Sequence, residues 1–294
     1  MIHIPVLIRE VLEYLDPKPN ENFIDGTVGE GSHAIEILER NKPEGKVLGI
    51  DWDAKQVENS KFYTSRFKER IIVVNGSYAN MKDIAERMHF TPVHGILLDL
   101  GYSSWQIEQS GKGFSFNKDE ALDMRFNAHN PVTAEKIINE YSELAIEKII
   151  REYGEEKFSK QIAREIVRQR KIKKIQSTFE LNNVIERAMP LKSRHGRIHY
   201  ATRTFQALRI AVNGELDNLQ KGLLEAISIL SPGGRLVVIS FHSLEDRIVK
   251  NAFKYAVNNK MANLLTKKPV RAWAKEMAVN PRARSAKLRA LIKI

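Results

Sequence analysis

The chain of 294 residues contains no cysteine. This absence excludes disulfide bonds, cysteine-ligated zinc and a cysteine nucleophile, and it is compatible with a reducing compartment. No apolar run approaches the roughly 18 residues that a membrane-spanning helix needs, and the N-terminus lacks a charged segment followed by an apolar signal region. We therefore expect a soluble, cytoplasmic protein without a membrane partner.

The dinucleotide-binding pattern G-x-G-x-x-G is absent as well. In its place, the turn 25–33 has a G-x-x-G-x-G spacing between a short apolar strand and a helical run. A second predicted strand, 46–50, ends in Asp51. Glycines let a backbone approach an adenosine, and an acid at the next strand end accepts hydrogen bonds from ribose hydroxyls. We interpret the turn as a site for a nucleoside cofactor without phosphates; the alternative is a turn that only caps a helix.

Positive charge exceeds negative charge, with 47 Lys plus Arg against 36 Asp plus Glu and a net charge of +11. This excess favours a polyanionic partner, because lysines and arginines that neutralise phosphates release condensed counterions. Three segments concentrate the cations, namely 164–174, 192–197 and 282–289. We expect one or two of them to contact nucleic acid; the alternative is an inert, solvated basic surface.

Apolar strands alternate with helical patterns, which predicts an α/β fold with a doubly wound, parallel sheet. The predicted strands are 23–24, 46–50, 71–74, 95–100 and 235–240, and the predicted helices of this part include 5–15, 34–38, 80–88 and 219–230. Residues 131–190 show helical periodicity without strands, which is too long for a loop. We therefore predict a discontinuous Rossmann-like domain, 1–106 with 200–294, and an inserted all-helical subdomain, 107–199.

The fourth predicted strand ends in Asp99-Leu100-Gly101-Tyr102. The carboxyl ends of parallel strands line the ligand crevice of open α/β sheets, so Asp99 is a candidate acceptor for an amino group of a cofactor or substrate. Its alternative role is to cap a turn. Tyr102 and Trp105 are candidates for stacking on a base or for packing beneath the insert. His242, just beyond the fifth strand, either orients the target or belongs to an ordinary strand-to-helix turn.

Long stretches of the chain resemble one known family. They are HIPVL, FIDGTVGEGSH, VLGIDWD, GILLDLGYSS, GFSF with LDMRF, YGEEKFSKQIAR, ATRTFQALRIAVNGEL, SPGGRLVVISFHSLEDRIVK and NPRARSAKLR. In this order they are similar to the bacterial small-subunit methyltransferase H family, also called MraW. Its members use S-adenosylmethionine to methylate N4 of a cytidine in 16S ribosomal RNA. The resemblance covers nearly the whole chain.

The resemblance implies a role for each matching residue. Cofactor-binding residues would be Gly31, Ser32, His33, Asp51, Tyr78, Asp99 and Gln106. Asp99 and Tyr102 occupy the place where related amino-methyltransferases have their catalytic turn, so we hypothesise that they are catalytic. The chain departs from the family pattern at Ser32, Tyr78, Trp105 and Tyr200, where glycine, phenylalanine, proline and proline are usual.

The resemblance also implies the reaction and its partners. The cofactor would be S-adenosylmethionine, with S-adenosylhomocysteine as product, and the substrate would be 16S ribosomal RNA near the decoding site of an assembled small subunit. We expect no metal, and a monomer or homodimer. Three alternatives stay open, namely a nicotinamide-dependent oxidoreductase, a ribosome-assembly factor that binds RNA without catalysis, and a DNA amino-methyltransferase that lacks the usual Asp-Pro-Pro-Tyr.

Overall fold

The computed structural model describes residues 5–194, 196 and 198–294. The chain divides into two compact units, Met1–Gly101 with Leu216–Ile294 and Tyr102–Glu215. The boundaries differ from those predicted, since the helical unit extends beyond 107–199 at both ends. The main reason is a helix at 202–213, which packs against a helix at 143–154 inside the helical unit.

A seven-stranded sheet forms the centre of the first unit. Its strands are β1 (Phe23–Asp25), β2 (Val47–Asp51), β3 (Ile71–Asn75), β4 (Gly95–Asp99), β5 (Arg235–Ser240), β6 (Ala262–Leu264) and β7 (Lys287–Lys293). They lie in the order β3-β2-β1-β4-β5-β7-β6. The first five are parallel to one another, whereas β7 pairs antiparallel with both β5 and β6.

The described part of the chain also contains thirteen α-helices. Those that precede the helical unit are α1 (Ile8–Leu15), α2 (Ser32–Arg40), α3 (Ala54–Thr64) and α4 (Met81–Arg87). The helical unit contains α5 (Ser104–Glu108), α6 (Ala134–Glu140), α7 (Glu143–Gly154), α8 (Ser159–Arg170), α9 (Thr178–Ala188) and α10 (Thr202–Asn213). The chain then forms α11 (Glu215–Ile229), α12 (Ser243–Asn258) and α13 (Ala274–Val279). None of the helices in the described residues is long and apolar enough to cross a bilayer.

Both faces of the sheet are buried, because successive side chains of a strand point to opposite sides. Ile24, Leu48 and Leu98 belong to a cluster that also contains apolar residues of α4, α11 and α12. Phe23 and Leu97, their neighbours in sequence, belong to a second cluster with residues of α1 and α2. Helices therefore cover the sheet on both sides, as the doubly wound prediction requires.

The core on the α1 side depends strongly on Phe23, which is 0% exposed. We expect Phe23→Ala to lower the free energy of unfolding by about 3–5 kcal/mol, because it removes a buried ring and leaves a cavity. Phe62→Ala is the matched control; that ring is 76% exposed, and we expect a change within about 0.5 kcal/mol. Urea denaturation of both variants measures the difference. Equal midpoints would contradict the burial of Phe23.

The five predicted strands of the sheet are confirmed, but the sheet has an edge that we did not predict. β7 adds antiparallel to β5, with Lys287 opposite Ser240 and Ile292 opposite Arg235. β6 then pairs with β7. Leu288, Ala290 and Leu291 of β7 are buried. β5 therefore has a neighbouring strand on both sides, β4 and β7. The prediction of a parallel sheet is therefore wrong at this edge and correct for β1 to β5.

The helical unit has its own apolar core. Ile146 and Ile150 of α7, Ile162 of α8 and Leu181 of α9 belong to a single buried cluster, to which α6 and α10 also contribute. The spacing of these residues places them on one face of each helix. Thr133, Ser142 and Ser177 each accept a backbone hydrogen bond at the start of α6, α7 and α9. Such caps define where amphipathic helices begin.

Candidate active site at the carboxyl ends of the parallel strands

Three aspartates mark the candidate site in the first unit. Asp25, Asp51 and Asp99 are the last residues of β1, β2 and β4. Because these strands are parallel neighbours, their carboxyl ends lie at one edge of the sheet, which is the usual position of a ligand crevice in such folds. The edge therefore brings together three acids that are separated along the chain.

The glycine turn between β1 and α2 closes over this edge. Gly29 has φ +52° and Gly31 has φ +88°, values that L side chains rarely adopt. A Cβ at Gly31 would lie 2.7 Å from Cγ2 of Thr64. The turn therefore needs glycine for its conformation at both positions and for space at Gly31. Ser32, the next residue, begins α2.

Asp51 links the glycine turn to the second strand. Its Oδ2 accepts a hydrogen bond from the Gly29 N–H at 2.9 Å, and its Oδ1 accepts one from the Asp53 N–H at 2.9 Å. Burial raises the pKa of Asp51 to about 6, although the two backbone hydrogen bonds oppose this rise. Each carboxylate oxygen has a second lone pair. Asp51 can therefore hold the turn and still accept hydrogen bonds from a ribose.

His33 and Asp99 form a buried pair. The ring Nε2 of His33 is 3.0 Å from the carbonyl oxygen of Val6 and must donate to it, because a carbonyl only accepts. Burial lowers the pKa of His33, which favours the neutral ring. The Nδ1 lone pair then faces Oδ2 of Asp99 at 3.7 Å. Two facing lone pairs repel each other, and a proton between them removes this repulsion. The His33–Asp99 pair therefore has the capacity to hold one proton.

Asp99 has an acceptor available for a ligand. Within the part of the chain that the structure describes, its Oδ1 is buried and has no hydrogen-bond partner. Burial raises the pKa of Asp99 to about 7; the charge of Arg282 opposes the rise and that of Glu245 adds to it. A buried oxygen without a partner costs free energy in the unliganded protein. An amino group that donates to it would remove this cost.

Asp25 is a site residue to which the sequence reasoning assigned no role. Burial raises its pKa to about 7; His33 opposes this rise when its ring is protonated, and the charges of Asp99 and Asp51 add to it. Thr27 connects two of the acids, because its N–H donates to Oδ1 of Asp25 at 3.2 Å and its Oγ1 accepts from the Asp99 N–H at 2.7 Å. The position of Asp25 at the end of a buried strand was the available signal.

Tyr78 lies in a short 3₁₀ helix, Tyr78–Asn80, after β3. Its ring packs under α11, since a Cβ at Gly222 would lie 2.5 Å from its Cδ2. The ring is half-buried and contacts the core cluster on that face of the sheet. Tyr78 therefore has a fixed position in the first unit. That it flanks an adenine stays a prediction.

Tyr102 and Gln106 belong to the helical unit. The Arg209 guanidinium lies 4.6 Å from the centroid of the Tyr102 ring, and the Nε and Nη2 atoms of Arg209 donate to the two carboxylate oxygens of Glu215 at 2.8 Å. Gln106 completes a capping box with Ser103 at the start of α5. Both residues are therefore held by local structure, and their predicted roles at the cofactor and substrate stay predictions.

Other candidate residues have structural partners. His242 caps α12, with Glu245 in a capping box, as the ordinary strand-to-helix interpretation predicts. In the segment 164–174, Arg168 pairs with Glu165, and Lys173 pairs with Glu180. Two residues of the segment 192–197, His195 and Arg197, lie outside the described residues. Arg289 pairs with Asp246.

The strand order and the acidic edge define a Rossmann-like α/β fold with a ligand site at the carboxyl ends of its strands. A crystal structure described as an rRNA methylase from Clostridium thermocellum aligns over 100% of both chains, with a TM-score of 0.50 and 13% identity. This likeness confirms the predicted fold class.

The model of the MraW methylase family matches residues 1–294. The chain is 45% identical over 309 aligned residues to the Ribosomal RNA small subunit methyltransferase H of Acetivibrio thermocellus, covering 99% of both chains. It is also 45% identical to the protein of the same name from Thermotoga neapolitana, covering 98% of this chain and 95% of that one. The chain belongs to the MraW methylase family, which confirms the resemblance drawn from its motifs.

Proposed function

We propose that this protein transfers a methyl group from S-adenosylmethionine to N4 of a cytidine in the decoding region of 16S ribosomal RNA, in the assembled small subunit. The observation that carries the proposal is the acidic edge of the sheet, where Asp51 and Oδ1 of Asp99 flank a glycine turn; this Oδ1 is buried and has no hydrogen-bond partner among the described residues. Membership of the MraW methylase family and the names of the relatives support the choice of ribosomal RNA.

The residues of this edge fit the proposed cofactor. Gly29 and Gly31 have positive φ angles that select glycine, and without side chains they let a nucleoside approach the backbone. Asp51 would accept hydrogen bonds from the ribose. His33 would face the methionine end, Tyr78 would flank the adenine, and Gly31, Ser32 and Gln106 would complete the pocket. When bound, the cofactor supplies a methyl group that is already activated by its sulfonium.

The reaction requires the protein to position the amino group of the cytosine and to provide a proton acceptor. Cytosine N4 is a poor nucleophile, because its lone pair is delocalised into the ring. Oδ1 of Asp99 would accept a hydrogen bond from the amino group and orient it for an in-line approach of about 3 Å. After transfer the amine must lose a proton, and the Asp99–His33 pair has the capacity to hold it. The Tyr102 ring would position the base.

The remaining predictions belong to the same proposal. The reaction needs neither a metal ion nor a covalent protein nucleophile, since the leaving group is a neutral thioether. A cytosine must be unstacked or already single-stranded to reach the site. We also retain the expectations of a cytoplasmic location and of a monomer or homodimer.

The test is a methylation assay with identification of the product. Unmodified small subunits, free 16S ribosomal RNA and duplex DNA are each incubated with the protein and S-adenosylmethionine, and the nucleosides are identified by mass spectrometry. We expect N4-methylcytidine from the small subunits, mapped to the decoding region. Asp83→Ala, an exposed position on α4, is the control variant and should retain full activity.

Each alternative predicts another result. Tight binding of small subunits without methyl incorporation would indicate an assembly factor. Modification of the DNA alone would indicate a DNA amino-methyltransferase. Binding of NAD rather than S-adenosylhomocysteine in a titration would indicate an oxidoreductase. A different modified nucleoside in the small subunit would reject N4 of cytidine as the target.

A further inference from the structure

The chain between β6 and β7 runs along the same edge of the sheet as the three aspartates. We call residues 265–286 the β6–β7 connection. β7 begins with Lys287 opposite Ser240, the last residue of β5, and Val270 forms an isolated bridge with Leu288. Because β5 ends at the edge where Asp99 lies, the connection that precedes Lys287 lies at this edge too.

Two side chains of the connection approach the candidate site directly. Oε1 of Glu276 accepts a hydrogen bond from the Leu7 N–H at 2.7 Å, one residue beyond Val6, the partner of His33. Arg282 lies near enough to Asp99 for its charge to oppose the rise in the pKa of that carboxyl. The connection is therefore a border of the site within the first unit.

The charged residues of the connection are almost all basic, and most of these cations are exposed. Its exposed cations are Lys267, Lys268, Arg271, Lys275 and Arg284. None of these five forms an ion pair within the described ranges of the chain, whereas Lys55 and Arg168 on other surfaces do. Glu276 is the only acid between 265 and 286, and its hydrogen bond to Leu7 occupies it.

An aromatic ring lies among these cations. Trp273 is 64% exposed, and the guanidinium of Arg9 is 5.6 Å from its ring centroid. None of the six residues of α13, which follows it, is buried. Exposed cations bind phosphates, and an exposed ring stacks on any base, so the combination is typical of single-stranded nucleic-acid binding. An acidic protein would use the cations but would have no need of the ring.

We propose that the β6–β7 connection binds the single-stranded RNA that flanks the target nucleotide, with its cations on the phosphates and Trp273 stacked on a flanking base. The inference rests on the proposed function, because it takes RNA as the substrate. It adds a recognition surface in the first unit, outside the helical insert, whose position beside Asp99 would hold the substrate strand near the reacting base.

The first test compares two variants that remove the same charge. In the connection variant, Lys267, Lys268, Arg271 and Lys275 are replaced by Gln. In the control variant, Lys46, Lys250, Lys254 and Lys260 are replaced by Gln; these lysines are also exposed. Lys46 precedes β2 and Lys260 precedes β6, so they lie at the opposite edge of the sheet. Any effect of net charge alone appears equally in both.

We expect the connection variant to raise KM for small subunits at least about tenfold, with kcat within about twofold, because phosphate contacts contribute affinity rather than chemistry. Its affinity for a short single-stranded RNA should depend less on salt. The slope of log K against log salt should become shallower by up to about 2.8, four phosphates at about 0.7 each. The affinity for S-adenosylhomocysteine should not change. Equal KM values and equal salt slopes in the two variants would overturn the proposal.

The second test concerns the ring. Trp273→Ala should weaken binding of the same RNA about five- to tenfold without changing the salt slope, because stacking releases no counterions. Val279→Ala is its control, since Val279 is an exposed residue of the same connection. Equal losses in both variants would reject stacking by Trp273.

The RNA-binding measurements distinguish a failure of this inference from a failure of the proposed function. If the wild-type protein makes no N4-methylcytidine, the proposed function fails, and the binding measurements still decide whether the connection binds RNA. If the wild-type protein methylates small subunits but the connection variant matches the control variant in KM and salt slope, only this inference fails. Preference of the connection for an acidic peptide over RNA in a competition assay would also overturn it.

Discussion

Asp51→Ala is expected to weaken the binding of S-adenosylhomocysteine about 100-fold. The substitution removes the acceptor proposed for the ribose, and hydrogen bonds to a charged group contribute about 1.5–3 kcal/mol each. It also removes the acceptor of the Gly29 and Asp53 N–H groups, so the glycine turn loses its link to β2. Both effects act on the cofactor, and isothermal titration measures their sum.

The control for this prediction is Asp83→Ala, which removes an exposed aspartate of the same unit. Its dissociation constant should equal that of the wild type. Thermal unfolding without ligand shows whether Asp51→Ala is folded at the temperature of titration. A folded Asp51→Ala protein that binds S-adenosylhomocysteine as tightly as the control would exclude Asp51 from the cofactor site.

The sheet and the position of its acids could be predicted because their signals are local. Each strand from β1 to β5 is a short apolar run, and Asp51 and Asp99 follow such runs directly. Parallel strands place their carboxyl ends at one edge, so the site follows from the fold class. The turn that contains Gly31 could also be predicted, because closely spaced glycines indicate where a backbone adopts positive φ.

The remaining features depend on contacts between distant parts of the chain. β7 carries charged residues at 287, 289 and 293 and becomes a strand by pairing with β5, which no local pattern indicates. The pairing of His33 Nε2 with the Val6 carbonyl, which fixes the tautomer, is equally invisible in the sequence. Likewise, the basic segment 282–289 is expected to contact nucleic acid, but no local pattern indicates that the charge of Arg282 acts on Asp99.

Asp99→Ala is expected to lower kcat about 10²- to 10⁴-fold, the range for loss of a positioned proton acceptor. The same residue was predicted to contact the cofactor, and the kinetics separate the two roles. If Asp99 acts on the substrate amine, kcat falls while the affinity for S-adenosylhomocysteine changes little. If it acts only on the cofactor, the dissociation constant rises and kcat at saturating cofactor is retained. The second result would contradict the catalytic hypothesis.

The pH dependence of kcat/KM, which reports the groups of the free enzyme, provides an independent test of Asp99. Burial raises the pKa of Asp99 to about 7. An aspartate accepts a proton only when ionised, so kcat/KM should rise with pH through about 7 and level off above it. Asp99→Asn should remove this rise. Three other groups face Asp99, namely His33, Arg282 and Glu245, and Asp25 titrates near the same pH. Asp25→Asn is therefore the discriminating variant: if it flattens the profile and Asp99→Asn leaves it intact, the titrating acid is Asp25 and the assignment of the proton acceptor to Asp99 is wrong.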